Sequence, residues 1–163
     1  MSAEQNKSIV LQMYQSFDQG NLEQVQEYLA PNFVAHIPGA SKALNREAFM
    51  QSVLMIFRSA FPDGMHKFED VIVEGDKVVT RGTFSGNHRG ELQGIPPTGK
   101  LITIPFFHID RIENDKLVEH WGYSDLLSLM QQLGIVSLPG PGLIARKLYL
   151  AIASLTKFNK EAS

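Results

Sequence analysis

No cysteine occurs in this chain of 163 residues. That excludes a disulfide framework, a thiol nucleophile and a zinc site built on thiolates, and it suggests a reducing cytoplasm as the compartment. Nor does either charge dominate: 15 Lys and Arg against 17 Asp and Glu leave a net charge of −2. Nucleic-acid binders draw much of their affinity from clustered basic residues that neutralise phosphates, so no nucleic-acid partner is expected. The polar opening MSAEQNK lacks the apolar stretch of a secretory signal. The sequence has no HExxH pair, no GxGxxG or Walker loop and no GxSxG elbow, so nucleotide binding and serine-hydrolase chemistry lack their residues. Its five histidines are scattered rather than set at ligand spacing, and no metal site is expected.

What the chain does have is 44% hydrophobic residues, enough for one globular domain that buries roughly two-thirds of its unfolded surface. Ser2 with Gln5 reads as a capping box, and Ile9, Val10, Met13, Tyr14 and Phe17 recur at helical spacing. After the polar break from Asp18 to Asn21, Leu22, Val25 and Leu29 predict a second short helix that Pro31 stops. Phe33 to Ile37 is a short apolar segment, and a third helix is predicted from Asn45 to Ala60. From Met65 the period becomes that of strands, with hairpin connections at Gly75-Asp76 and Asn114-Asp115 and a last short helix from Leu126 to Leu133 before Gly134. Helices followed by consecutive hairpins indicate an α+β architecture with an antiparallel meander. After a Pro/Gly stretch, residues 139–163 are predicted to form a helical extension with an apolar face and basic residues. It is expected to pack on its own domain or across a homodimer in preference to lying on a membrane surface, and it is too short and charged to span a bilayer.

Most of the potential chemistry lies between Gly86 and Asp125, which holds three of the five histidines and the single tryptophan. There GNHRGELQGIPPTGK precedes the strand Leu101 to Ile112, and DRIENDKLVEHWGYSDLLSLMQQLG follows. With the opening MYQSFDQGNLEQVQEYLAPNFVAH, this pattern from about Lys7 to Gly134 resembles the SnoaL-like polyketide cyclases and related ester cyclases. The resemblance implies a domain over residues 1–138 with the cone-shaped α+β barrel shared with nuclear transport factor 2 and steroid isomerases. In that fold a curved antiparallel sheet wraps around helices and leaves an apolar cavity. It also implies ring closure by intramolecular aldol condensation without a cofactor, since a general base and donors to the enolate oxygen suffice. The family's acid/base aspartate after the last strand's tryptophan is matched to Asp125, after Trp121, and His108 is its helper.

Each candidate has a second, structural role open to it. Asp125 stands where a helix N-cap belongs. His108 shares an apolar strand face with Ile102, Ile104, Phe106 and Ile112, where a histidine also serves as a hydrogen-bonded core residue. Trp121 and Tyr123 share parity with Asp125 and are expected to line the cavity, whereas His120 should point away if the pairing is regular. A β-bulge would exchange inside for outside. Phe106, Tyr14 and His36 are further expected lining residues, His88 is expected to shape the pocket mouth, and His66 reads as surface. The function expected is a cyclase, lyase or isomerase acting on a small apolar carbonyl ligand, the rival being a carrier that binds the ligand without turnover.

Overall fold

The Ser2 hydroxyl accepts the amide of Gln5 at 3.2 Å and starts α1 (Ala3–Asp18). In the computed structural model, which describes residues 2–137, Val10, Met13, Tyr14 and Phe17 form one buried stripe at the expected spacing. Asn21 caps α2 (Leu22–Tyr28) through the amide of Gln24 at 3.1 Å, completing the helical hairpin. Pro31 lies inside β1 (Leu29–His36), where the register with its neighbour slips between Leu29 and Val34. A strand tolerates a missing amide at such an irregularity. After β2 (Leu44–Asn45), Asn45 accepts the Ala48 amide at 2.9 Å. The expected third helix runs as α3 (Arg46–Phe49), a π-helical turn (Met50–Met55) and α4 (Ile56–Ala60).

Four long strands follow: β3 (Met65–Glu74), β4 (Lys77–Asn87), β5 (Leu101–Glu113) and β6 (Lys116–Ser124). Both two-residue hairpin turns stand where the sequence places them. At the second, Asn114 and Asp115 take φ of 49° and 60°, the left-handed pair that matches strand twist. The sheet order is β2-β1-β6-β5-β4-β3, so it is not a simple meander: β1 returns to pair in parallel with β6. The sheet is curved and unclosed, with helices on its concave side. Curvature is helped by a register shift between Phe68 and Asp70, and by Gly82, where any side chain would strike the carbonyl of Lys67.

On β5 the alternation is regular. Ile102, Ile104, Phe106, His108, Asp110 and Ile112 face inward, while Leu101, Phe107 and Ile109 face out. Phe33, Phe61 and Phe106 are among the largest fully buried side chains, each stabilising by about 1.5–3 kcal/mol relative to exposure. On β6 the alternation breaks. Arg111 pairs with Glu119 but Ile112 pairs with Leu117, so Val118 is an extra residue. Beyond that bulge the inward positions are His120, Gly122 and Ser124. Trp121 and Tyr123, expected inside, are 51% and 69% exposed on the outer face.

Asp125 caps α5 (Leu126–Leu133), and Gly134 ends it at φ 82°. Among the described residues no helix is long and apolar enough to cross a membrane. The expected extension of residues 139–163 lies outside the described residues.

Candidate active site

The concave face encloses a cavity of about 250 Å³ with a mainly apolar wall. That volume is at the small end of ligand sites. Phe17, Phe57, Phe84 and Phe106 line it, and the π-helical turn contributes Ser52, Val53 and Leu54. Into this wall α1 sends Tyr14, β3 sends His66, β5 sends His108, and β6 sends His120.

Tyr14, His108 and His120 are organised by Asp110, a fully buried carboxylate two residues after His108 on the same face of β5. A charge so placed is stable only when hydrogen bonds replace its water. Its Oδ1 accepts from His120 Nδ1 at 2.8 Å, and its Oδ2 accepts the Tyr14 hydroxyl at 3.2 Å. The same hydroxyl lies 2.7 Å from His108 Nδ1. A phenol has one proton to donate and a carboxylate has none, so the consistent assignment runs one way. His108 donates from Nδ1 to the phenol oxygen and Tyr14 donates to Asp110. His108 Nε2 then carries a lone pair, and no described residue hydrogen bonds to it.

Environment reinforces this assignment. Burial, with His120 and His66 nearby, holds the His108 pKa well below the ordinary imidazole value, so the ring is neutral. Burial, then the charge of Asp110 and the hydrogen bond to it, pushes the Tyr14 phenol well above its ordinary value. The His120 ring, 5.1 Å from that of His108, occupies space left by the absent side chain of Gly122, the residue paired with His108 across the sheet.

His66 belongs to the cavity rather than the surface. Its Nδ1 is 2.7 Å from Asp18 Oδ1, both side chains are 10% exposed, and its ring packs against Tyr14, Phe84 and Phe106. His66 shares strand parity with Phe68, which was the available signal. His120 also joins the cluster, contrary to the regular-pairing expectation, because of the bulge at Val118.

Of the residues expected from sequence, Tyr14, Phe106 and His108 line the cavity. The others do not. Asp125 is exposed, and its Oδ1 accepts the Ser128 amide at 2.9 Å, so its carboxylate caps α5 instead of entering the cavity. Trp121 stacks on His36 on the outer face at 3.8 Å between ring centres and donates to Glu119 at 2.9 Å. Hydrogen bonds from Trp121 and Arg111 hold the Glu119 carboxyl below its ordinary pKa. His36 faces out because Phe33 and Ala35 take the inward positions of β1. His88 is fully buried against Phe61, and its Nδ1 accepts the Thr98 amide at 3.2 Å, so it shapes the Gly86–Lys100 loop from beneath.

A curved sheet folded over helices, with an imidazole–phenol–carboxylate chain in the wall of an apolar hollow, defines a small cone-shaped α+β protein with an internal cavity. The family model for the SnoaL-like polyketide cyclases matches residues 8–133, and the chain belongs to that family. It is 29% identical over 133 residues to aklanonic acid methyl ester cyclase DnrD of Streptomyces peucetius, covering 77% of this chain and 88% of that one. Among solved structures, IdmH of Streptomyces antibioticus, a candidate polyketide cyclase, superposes with a TM-score of 0.71 at 31% identity, covering 79% of this chain and 98% of the other. AclR of Streptomyces galilaeus, a candidate hydroxylase, gives a TM-score of 0.78 at 24% identity over 96% and 98% of the two chains, a likeness of fold alone. The homologues support a cyclase role.

Proposed function

We propose that the protein closes a ring in a small, apolar carbonyl ester by intramolecular aldol condensation, using general acid/base catalysis and no cofactor. The observation that carries this reading is the 2.7 Å contact between Tyr14 and His108, which ties the histidine to buried Asp110 and leaves Nε2 without a hydrogen bond from any described residue in the cavity wall. His108 takes a proton from carbon already acidified by adjacent carbonyls. Tyr14 and Asp110 hold its tautomer and stabilise the imidazolium that forms. The apolar wall excludes water and so strengthens electrostatic interactions inside. Proton transfer of this kind supplies a factor of about 10² to 10⁴, or roughly 3–5 kcal/mol of barrier.

The substrate named for the relative DnrD makes aklanonic acid methyl ester the first compound to test. Turnover without added cofactor is expected from the wild-type protein, and His108→Gln should lose it about 10² to 10⁴-fold while still binding the ester. Unchanged turnover in that variant removes His108 from the chemistry. Saturable binding by the wild type with no turnover assigns the rival role, a carrier using the same mainly apolar cavity.

A homodimer is part of the proposal. Phe107, Ile109, Trp121 and Tyr123 form a contiguous outer patch, since Phe107 pairs with Tyr123 and Ile109 with Trp121, and each is 42 to 69% exposed. Apolar patches of this kind mark interaction surfaces, and a symmetric pair of chains covers the same patch on both.

A further inference from the structure

The ring-closing scheme leaves one cavity pair unused. His66 stands near the start of β3, and Asp18 at the end of α1 holds it twice. Asp18 Oδ2 accepts the His66 backbone amide at 2.9 Å, and Oδ1 lies 2.7 Å from the ring Nδ1. Since a carboxylate only accepts, Nδ1 carries hydrogen and Nε2 is the atom left for a ligand. Phenylalanines 17, 84 and 106 wall the ring at centroid distances of 5.0 to 5.8 Å, and among the described residues the hydrogen bonds of His66 to side chains run through its amide and Nδ1, none through Nε2. The titratable groups facing it are Asp18 and Tyr14 from α1 and His108 from β5, with ring centres of the two histidines 6.3 Å apart. In aldol closure the attacking carbon and the carbonyl carbon approach within about 3–3.5 Å. At that separation one molecule held between the two rings can offer its acidic carbon to one and its carbonyl oxygen to the other.

We propose that His66, oriented by Asp18, is the catalytic acid of this closure. The inference rests on the cyclase reading above. His108 Nε2 takes the proton from the activated carbon, and that carbon's electron pair forms the new bond to the ketone carbon. The carbonyl π pair moves to oxygen, which takes the Nε2 proton of His66. Substrate and product have the same atoms. The protein ends with a proton moved from His66 to His108, and exchange with water restores both. The division of labour follows from the contacts. His66 Nδ1 touches the Asp18 carboxylate directly, a contact that would balance the charge of an imidazolium there, whereas His108 reaches Asp110 only through a phenol. The depressed pKa of buried His108 fits its role as the unprotonated partner.

The test uses the full chain, aklanonic acid methyl ester, and two rates: exchange of the acidic carbon's hydrogen for deuterium in heavy water, and ring closure followed by chromatography. His66→Gln should close the ring about 10² to 10⁴-fold more slowly, and its kcat/KM profile should lose the alkaline fall that marks an essential acid, while hydrogen exchange stays within about threefold of wild type. Asp18→Asn keeps an acceptor for one of the two His66 hydrogens and sets an NH2 group against the other, so it should show the same selective loss at about tenfold, and it carries the test if His66→Gln does not fold. Closure at the wild-type rate in either folded variant overturns the proposal, as does an equal fall in exchange and closure. A wild-type protein inert in both assays overturns the cyclase reading instead.

Discussion

A Cβ added to Gly122 would lie 2.6 Å from Nε2 of His120. The imidazole occupies the space that a side chain at position 122 would fill, and it does so while donating to Asp110. Gly122→Ala should therefore push the ring off the carboxylate and leave a buried oxygen unpaired, destabilising by about 1–3 kcal/mol in urea denaturation. In a His120→Ala background the same change should cost almost nothing. That non-additivity in a double-mutant cycle is the check.

Tyr14→Phe removes the group that joins His108 to Asp110. Stability should fall by about 1–3 kcal/mol because one oxygen of a fully buried carboxylate loses its donor. Ring closure should slow by about tenfold or more as His108 loses its fixed tautomer. Denaturant midpoints and kcat/KM measured on the same samples check both.

Asp125→Ala should cost about 0.5–2 kcal/mol of stability through the lost cap on α5. Its kcat/KM should match wild type, because the carboxylate faces solvent and is bound to the Ser128 amide. A large loss of kcat in a stably folded Asp125→Asn variant would show that the carboxylate reaches the substrate after all.

Stability should depend on pH at both ends. The folded-state pKa of His108 is depressed, so the unfolded chain binds more protons below the ordinary imidazole value, and stability falls as pH drops below about 6.5. The Tyr14 pKa is raised, so the unfolded chain releases its proton first, and stability falls as pH climbs above about 10. Urea midpoints across this range should fall off on both sides, and the acid fall should flatten in His108→Gln.

Replacing Phe107 and Tyr123 together by lysine should dissociate the proposed homodimer without disturbing the cavity, since both side chains lie on the outer face. Sedimentation equilibrium should then give one chain's mass for the variant and two for the wild type.

Much of the framework was legible in the residues. The cap at Ser2, the stripe through Val10, Tyr14 and Phe17, the two hairpin turns and the inward face of β5 all appear where the sequence places them. His108, Phe106 and Tyr14 were legible as cavity residues because they belong to regular periods. Trp121, Tyr123 and His120 are misplaced for one cause. Val118 adds a residue to β6 opposite an uninterrupted stretch of β5, and from that point Trp121 and Tyr123 turn outward while His120 turns in. His66 was missed because the partners that bury it come from α1, nearly fifty positions away.

The sequence by itself determined the local turns, caps and apolar periods, because these are decided by neighbours a few residues apart on the chain. Only the tertiary structure decided which histidines meet a carboxylate, since strand pairing across a bulge and the docking of α1 onto the sheet bring together groups whose spacing along the chain carries no trace of their contact.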